Sequence, residues 1–409
     1  MLRHKLQCFD CQREPAASEA DFRCTICGGL LEVKFDLKGK KKPAWDHRQL
    51  SVWKYREILP IENEESIVSL AEGGTGLHRC RRLGRELGLQ KLYVKNEGEN
   101  PTGSFKDRGM TVAISRAKEL GKKKVLCAST GNTAASLAAY SARAGMECIV
   151  LVPKGKVAGG KMLQVTMHGA KIIQVKGDFD QAFVTALELT KRRRELYLMN
   201  SLNPYRLEGQ KTLAFEISDQ LDSKTPDTVI LPVGNGGNIS AAWKGFTEFQ
   251  QLSIAKTRPR MIGIQAEKAS PIAKAVKRRE NKIRPVHNPQ TIATAIRIGS
   301  PVNWPKVLKA IKESKGTAET VTDSEILEAQ RQLATLEGIF VEPASAASIA
   351  GLKKLKTNRR VDPSETIVCV TTGHGLKDPS ILNRLPKSQT GYSLETSDQT
   401  SIDNIERAL

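Results

Sequence analysis

One lysine in a polar turn is well placed in this sequence for covalent chemistry. Lys106 lies in the stretch 100–110, which reads N-P-T-G-S-F-K-D-R-G-M. Residues 92–96 before it have the apolar, β-branched character of a short strand, and residues 111–120 after it have the apolar spacing of a helix. We therefore expect Lys106 at a helix N-terminus, where the helix dipole disfavours a positive charge. A neutral amine is the form of lysine that makes a Schiff base.

Two cysteine pairs near the N-terminus have the spacing of a metal site. Cys8 and Cys11 form one C-x2-C pair, and Cys24 and Cys27 form a second pair after 12 intervening residues. Four thiolates in two such turns match the tetrahedral geometry of zinc. We predict a zinc-ribbon-like module over residues 1–38, whose metal is structural because four protein ligands leave no open position. A ribbon held by packing without a metal is the alternative.

The remaining cysteines and the N-terminus indicate a reducing compartment. Cys80, Cys127, Cys148 and Cys369 are scattered, mostly in apolar strand-like runs, and are expected to be reduced core residues. The first residues lead into the ribbon without the apolar region of a secretory signal, and no apolar run is long enough to span a bilayer. The expected location is the cytoplasm.

The elements that must position these groups alternate along the chain. Short apolar runs predict strands at 125–128, 147–152, 171–175, 228–233, 261–265 and 366–370. Helical patterns lie among them at 134–144, 179–193, 239–247 and 324–336. This alternation predicts an α/β fold with parallel sheets covered by helices on both faces. In such folds ligands bind beyond the carboxyl ends of strands, so the loops that follow the strands are the expected sites.

Three of those loops carry residues suited to an anion or a cofactor. Residues 129–133 place hydroxyls and an amide at the start of a helix, which suits an anion cradle and equally a plain helix cap. The glycines of residues 234–238 let backbone N–H groups converge on a phosphate. In residues 371–378, T-T-G-H-G-L-K-D, Thr372 places a hydroxyl at a strand end, where it can hydrogen-bond a ligand.

A fourth stretch, residues 200–212, offers donors for a second phosphate. Arg206 can present a two-pronged guanidinium and Ser201 a hydroxyl. An arginine held in a surface ion pair is the alternative.

Together these stretches resemble the threonine synthases, which belong to the pyridoxal-phosphate enzymes of fold type II, the tryptophan synthase β family. The string S-F-K-D-R-G around Lys106 matches the family's cofactor-lysine motif, and T-G-H-G-L-K-D is characteristic of threonine synthases. Residues 70–77 resemble the family's E-G-x-T-P-L segment, with Gly76 in place of the proline. The resemblance runs from the ribbon to about Leu385, with its motifs in family order.

The resemblance implies two doubly wound sheet domains with pyridoxal 5'-phosphate in the cleft between them. It places the large domain at residues 45–95 plus 215–387 and the small domain, with the cofactor lysine, at 96–214. Residues 388–409, rich in Ser, Thr, Asp and Gln, are expected to form a polar tail.

It also implies residue roles. Lys106 is the catalytic and cofactor-holding lysine, Asn132 would bond the cofactor's phenolic oxygen, and Thr372 its pyridine nitrogen. The expected cofactor-phosphate residues are Gly234, Asn235, Gly236, Gly237 and Asn238. The substrate carboxylate would be held by Ser129, Thr130 and Thr133, and the substrate phosphate by Ser201, Arg206 and Asn235.

The implied reaction converts O-phosphohomoserine and water to threonine and phosphate by γ-elimination and β-addition. Threonine dehydratase and cysteate synthase chemistry remain alternatives; the former uses an unphosphorylated substrate and does not need Arg206, whereas the latter uses phosphoserine and sulfite. The formal net charge of +20 lies in short separate basic runs without a nucleic-acid-binding module. We therefore expect a small-molecule substrate, no nucleic-acid or membrane partner and, by family analogy, a homodimer.

Overall fold

Two parallel β-sheets covered by helices form the body of the molecule, and a small hairpin precedes them. The computed structural model describes residues 2–15, 22–37, 39–155 and 160–379, so the expected polar tail at 388–409 lies outside the described residues. The strands in chain order are β1 His4–Cys8, β2 Leu31–Phe35, β3 Leu77–Arg79, β4 Lys91–Asn96, β5 Lys124–Ala128, β6 Glu147–Pro153, β7 Lys171–Val175, β8 Leu196–Leu198, β9 Thr228–Pro232, β10 Arg260–Ala266, β11 Thr317–Val321 and β12 Thr366–Thr371.

The α-helices cover both sheets. They are α1 Arg81–Leu87, α2 Lys106–Glu119, α3 Asn132–Ala144, α4 Gly160–Met167, α5 Phe179–Arg192, α6 Pro204–Gln220, α7 Gly237–Gln251, α8 Pro271–Lys277, α9 Trp304–Glu313, α10 Asp323–Glu337 and α11 Pro343–Thr357. Every strand predicted from the sequence is present, with ends within one residue of the prediction. Helix α2 begins at Lys106, five residues before the predicted start at 111, which confirms that this lysine opens a helix.

The sheet topology brings the predicted loops to common edges. The larger sheet has the order β11, β10, β9, β12, β4, β3, and all of its neighbouring strands are parallel except β3, which is antiparallel to β4. The smaller sheet has the order β7, β6, β5, β8 and is parallel throughout. The predicted α/β fold with two helix-covered parallel sheets is therefore confirmed.

Alternate residues of the central strands bury themselves on opposite faces of the larger sheet. Ile230 and Cys369 pack with α10 and α11, whereas Val229 and Val368 pack with α6, α7 and α9. This follows from the period of two in a β-strand. The four scattered cysteines, Cys80, Cys127, Cys148 and Cys369, are buried free thiols, as predicted.

Helices α2 and α6 approach so closely that only glycines fit at their crossing. A Cβ atom on Gly209 would lie 1.7 Å from the carbonyl oxygen of Arg108, and one on Gly109 would lie 2.7 Å from that of Arg206. Both distances are far below van der Waals contact, so the crossing requires glycine at each position. The contact fixes the start of α6, with Arg206, against the start of α2, with Lys106.

The N-terminal hairpin rests on both halves of the molecule. Strands β1 and β2 pair antiparallel. The ring of Phe22 packs edge-on against Tyr197 of the smaller sheet at 5.3 Å, while the ammonium group of Lys306 on α9 donates to the carbonyl of Leu31 at 3.0 Å. Across the described ranges, none of the helices combines the length and apolarity needed to cross a bilayer.

Candidate active site

A cavity at the carboxyl ends of β4, β5, β8, β9 and β12 brings together most of the predicted site residues. The predicted residues on its wall are Lys106, Asn132, Ser201, Arg206, Gly234, Asn235, Gly236, Gly237, Asn238 and Thr372. The wall also contains residues that were not predicted, namely Phe105, Leu207, Gln210, Pro232, Ala295, Ile296 and Asn303.

Lys106 is the first residue of α2 and lies beside the loop that carries Thr372. The backbone N–H of Phe105 donates to the carbonyl of Thr372 at 3.0 Å, which joins the two loops. Burial lowers the pKa of the Lys106 amine to about 7; the positive charges of Arg206 and Lys161 act in the same direction, and Glu342 opposes them. The lowered pKa agrees in direction with the expectation of a disfavoured positive charge on this amine, and its largest cause is burial.

The turn before Lys106 is folded by the carboxylate of Asp107. Asp107 accepts hydrogen bonds from the backbone N–H and the hydroxyl of Thr102, both at 2.7 Å. The backbone N–H of His374 donates to the carbonyl of Gly103 at 2.9 Å, in the same turn. These contacts hold the lysine loop in one conformation from both sides.

The glycine loop after β9 forms the opening of α7. Gly236 caps this helix with φ +82°, a conformation that favours glycine, and its Cβ would lie 2.4 Å from Val307. A Cβ on Gly234 would lie 3.0 Å from the carbonyl of Ala295. The loop therefore presents bare backbone and the partial positive charge of a helix N-terminus to the cavity.

Asn132 opens α3 and is fixed by a residue to which the sequence analysis assigned no role. Its amide nitrogen donates to a carboxylate oxygen of Glu342 at 2.8 Å, in a buried contact. Glu342 immediately precedes α11, which begins at Pro343, and forms an ion pair with Lys161 at 2.8 Å. A glutamate followed by proline resembles an ordinary helix start, so its contact with Asn132 is visible only in the folded chain.

Thr372 at the end of β12 is held by Ser345. The Ser345 hydroxyl lies 3.0 Å from the Thr372 hydroxyl and accepts from the backbone N–H of Thr372 at 2.9 Å and of Gly373 at 2.8 Å. The Thr372 hydroxyl is thus oriented by a neighbour that carries no charge.

Arg206 is a buried guanidinium without an acidic partner in the described part of the chain. One terminal nitrogen donates to the carbonyl of Met199 at 3.0 Å and the other to the hydroxyl of Thr133 at 3.5 Å. Burial lowers the pKa of Arg206 to about 10, and Cys127 acts in the opposite direction. A buried cation without a carboxylate is expected to bind an external anion.

The predicted carboxylate loop, with Ser129, Thr130 and Thr133, lies beside the cavity and not on its wall. It forms the turn between β5 and α3, and the Ser129 hydroxyl accepts from the backbone N–H of Gly131 at 3.1 Å. Of the three, Thr133 is joined to the cavity wall by its contact with Arg206.

Two polar residues of the wall, Gln210 and Asn303, were missed. Gln210 is four residues after Arg206 on α6, so a helical periodicity at this segment would have placed the two on one face. Asn303 donates from its side chain to the carbonyl of Ser201 at 3.3 Å and from its backbone to that of Asn235 at 3.0 Å. It therefore connects the predicted phosphate residues to each other.

Buried polar atoms without a hydrogen-bond partner cluster in this cavity. Among the described residues, they include the amide oxygen of Asn132, the Nε of Arg206, the amide oxygen of Gln210 and both amide atoms of Asn238. Buried polar groups are nearly always paired in folded proteins. The cluster, the glycine cradle and the lysine with a lowered pKa fit a polar, phosphorylated aldehyde such as pyridoxal 5'-phosphate.

Comparison with known proteins agrees with this fit. Residues 68–373 match the family model described as pyridoxal-phosphate dependent enzyme. The chain belongs to this family.

Its relatives narrow the assignment within the family to the threonine synthases. The chain is 59% identical to the threonine synthase of Methanocaldococcus jannaschii, over 91% of this chain and 93% of the relative. It is 55% identical to the threonine synthase of Methanosarcina acetivorans, over 92% of this chain and 93% of the relative. It is 51% identical to that of Mycobacterium tuberculosis, over 80% of this chain and 88% of the relative. The predicted resemblance to threonine synthases is confirmed.

Solved structures confirm the fold. Threonine deaminase isoform 2 of Solanum lycopersicum superposes with a TM-score of 0.65 at 23% identity, covering 76% of this chain and 86% of that one. Maize serine racemase superposes with a TM-score of 0.63 at 21% identity, covering 82% of this chain and 93% of that one.

Proposed function

We propose that this chain converts O-phospho-L-homoserine and water to L-threonine and phosphate. The observation that carries the proposal is the buried Arg206, which has no acidic partner among the described residues and lies on the wall of the cavity that contains Lys106. The threonine synthase relatives support it.

The residues that would hold pyridoxal 5'-phosphate come from both sheets. Lys106 would bind its aldehyde carbon, and Gly234, Asn235, Gly236, Gly237 and Asn238 would surround its phosphate. Asn132 would bond its phenolic oxygen, and Thr372 its pyridine nitrogen. When bound, the cofactor supplies an electron sink that stabilises negative charge on substrate carbon atoms.

The amine of Lys106 would move protons once the substrate's amine has displaced it from the cofactor. Its pKa of about 7 lets it accept and return a proton near neutral pH. Protons would leave Cα and Cβ of the substrate as its phosphate leaves Cγ, and protons would be returned to Cγ and Cα to give the methyl group and the α-hydrogen of threonine. Water then adds at Cβ after the γ-phosphate has left.

The two anionic ends of the substrate would be held separately. Ser129, Thr130 and Thr133 would hold the carboxylate, and Ser201, Arg206 and Asn235 the phosphate. The side chain of Thr133 is uncharged, but its contact with Arg206 would join the carboxylate subsite to the phosphate subsite. Asn235 accepts from the backbone N–H of Val302 through its amide oxygen at 3.4 Å, which leaves its NH2 group for an anion.

The test is product formation by the purified, cofactor-loaded protein. O-phosphohomoserine should give threonine and phosphate in equal amounts, and Lys106→Ala should abolish both. A yellow protein that makes no threonine would contradict the reaction but keep the cofactor assignment. Phosphoserine with sulfite, and unphosphorylated threonine, would then test the cysteate synthase and threonine dehydratase alternatives.

We also propose that Cys8, Cys11, Cys24 and Cys27 hold a structural zinc ion. Their sulfur atoms lie within 4.8 Å of one another, with Cys8 3.5 Å from Cys27 and Cys11 3.8 Å from Cys24. Zinc–sulfur bonds of about 2.3 Å in a tetrahedron require sulfur separations of about 3.8 Å, so the cluster fits. Metal analysis should find about one zinc ion per chain, and replacement of Cys8 and Cys11 by serine should remove it. If the wild-type protein is purified with a reductant and without a chelator and contains no zinc, the proposal is contradicted.

Three further proposals concern the domains, the oligomeric state and the location. We propose that the domains divide at 45–95 plus 215–387 and 96–214, because each range contains the strands of one sheet except at the boundaries. We propose a homodimer by family analogy, testable by light scattering. A cytoplasmic location is supported by the buried free thiols of the described core.

A further inference from the structure

Glu342 is a buried carboxylate beside the cavity for which the roles above give no explanation. Its side chain is 1% exposed. One carboxylate oxygen accepts from the amide of Asn132 at 2.8 Å, and the other pairs with the ammonium group of Lys161 at 2.8 Å. Lys161 also donates to the hydroxyl of Thr294 at 3.4 Å. Burying a charge costs free energy even when it is paired. If Glu342 served the fold alone, an apolar residue would be favoured at this position.

The carboxylate is packed directly against the loop of Thr372. The backbone N–H of Glu342 donates to the carbonyl of Gly373 at 3.0 Å. A Cβ on Gly373 would lie 2.8 Å from a carboxylate oxygen of Glu342 and 3.4 Å from the amide nitrogen of Asn132. The absence of a side chain at 373 is what lets Glu342 reach Asn132.

The contact fixes which way the Asn132 amide points. An ionised carboxylate only accepts hydrogen bonds, so Asn132 must turn its nitrogen toward Glu342. The amide oxygen is then the atom left without a partner in the described structure. The second hydrogen of the same nitrogen remains available to a ligand in the cavity that Asn132 lines.

The charges around the Lys106 amine come from three helices. Arg206 on α6 and Lys161 on α4 disfavour a positive charge there, and Glu342 before α11 favours it. Lys377, which donates to a side-chain oxygen of Gln164 at 2.7 Å, is in turn influenced by Glu342. Glu342 is the negative group in this set that acts on Lys106.

We propose that Glu342, balanced by Lys161, is a positioning residue that orients the Asn132 amide and raises the proton affinity of the nitrogen joining Lys106 to the cofactor. This inference rests on the proposed cofactor site. A protonated nitrogen is positive, so the negative charge of Glu342 stabilises it and the positive charge of Lys161 destabilises it.

The test is the pH dependence of the visible absorbance of the cofactor-loaded protein without substrate. Glu342→Gln removes the negative charge and should lower the midpoint by about one pH unit, a tenfold change in proton affinity. Lys161→Met removes the positive charge and should move the midpoint up. The double variant should return close to the wild-type midpoint. With substrate, Glu342→Gln should lower kcat by about tenfold and leave KM within about twofold.

Opposite shifts in the two single variants would support the proposal, because a loss of general stability would not produce them. Midpoints equal to the wild type, or shifts in the same direction, would overturn it. If Glu342→Gln does not retain the cofactor, Lys161→Met decides alone: a higher midpoint than the wild type supports the proposal, and an unchanged or lower midpoint overturns it. Since the midpoint is read without substrate, a protein that makes no threonine but shows these shifts would contradict the proposed reaction alone.

Discussion

Two buried arginines whose backbones lie at the crossing of α2 and α6, Arg108 and Arg206, differ in their partners. Arg108 donates to Glu97 through Nε at 2.5 Å and to Glu216 through both terminal nitrogens at 2.7 Å. Arg206 donates to a carbonyl and a hydroxyl only, and its Nε has no partner in the described structure. Both side chains are almost fully enclosed.

Their pKa values diverge for the same reason. Burial disfavours the charge of each arginine, but Glu216 and Glu97 outweigh it at Arg108 and hold its pKa well above the ordinary value. At Arg206 burial is nearly unopposed and lowers the pKa to about 10. A paired buried arginine stabilises the fold, whereas an unpaired one at a cavity keeps its charge for a ligand.

The largest expected effect is on stability, at Arg108. Arg108→Met would leave Glu97 and Glu216 buried beside each other with Lys95 as the nearest remaining cation, 2.8 Å from Glu216. We expect the free energy of unfolding to fall by about 3–5 kcal/mol, measured by urea unfolding. A loss below about 1 kcal/mol would show that the network contributes little to the fold.

The second effect is on activity, at Arg206. Arg206→Met should lower kcat/KM for O-phosphohomoserine by about 100-fold, on the order of 3 kcal/mol, because a charged hydrogen-bond fork to the phosphate is lost. Its free energy of unfolding should equal or exceed that of the wild type, since an unpaired buried charge is removed. Steady-state kinetics and urea unfolding of the same preparation test both halves. The comparison fails if Arg206→Met loses as much stability as Arg108→Met.

The smallest effect is on the titration of Lys106. With a pKa of about 7, the amine of the cofactor-free protein is mostly protonated below that pH and mostly neutral above it. The rate of cofactor uptake, followed by absorbance, should therefore rise between about pH 6 and pH 8 and then level off. Arg206→Met should shift this rise to higher pH, because it removes a positive charge that favours the neutral amine. A rise centred near pH 10, the ordinary range for lysine, would contradict the assignment in both proteins.

Sequence patterns predicted the strands and the loops that follow them well. Strands β9 and β12 are short apolar runs, followed by the glycine loop that begins at Gly234 and by Thr372, and strand ends in a parallel sheet converge on one edge. That is why Lys106, Gly234 and Thr372 could be placed together before the fold was known.

The helix that carries Arg206 was missed for a physical reason. From Pro204 to Ser218 every residue of α6 is buried, so the helix has no polar face and no 3.6-residue periodicity. Its start was nevertheless marked, because Asn203 caps it by accepting from the backbone N–H of Tyr205 at 3.0 Å and Pro204 follows. Glu342 and Asn303 reach the site from distant parts of the chain, and no local pattern reports such contacts.

The central claim is that Arg206 is kept unpaired to bind the substrate's phosphate. The most direct measurement compares the affinity of the cofactor-loaded protein for O-phosphohomoserine and for unphosphorylated homoserine, in a Lys106→Ala background that prevents turnover. Binding is followed by calorimetry, with Arg206 present and with Arg206→Met. The account predicts that the wild-type arginine gives a strong preference for the phosphorylated ligand and that Arg206→Met removes most of it. An unchanged preference would show that the phosphate binds elsewhere and would contradict the account.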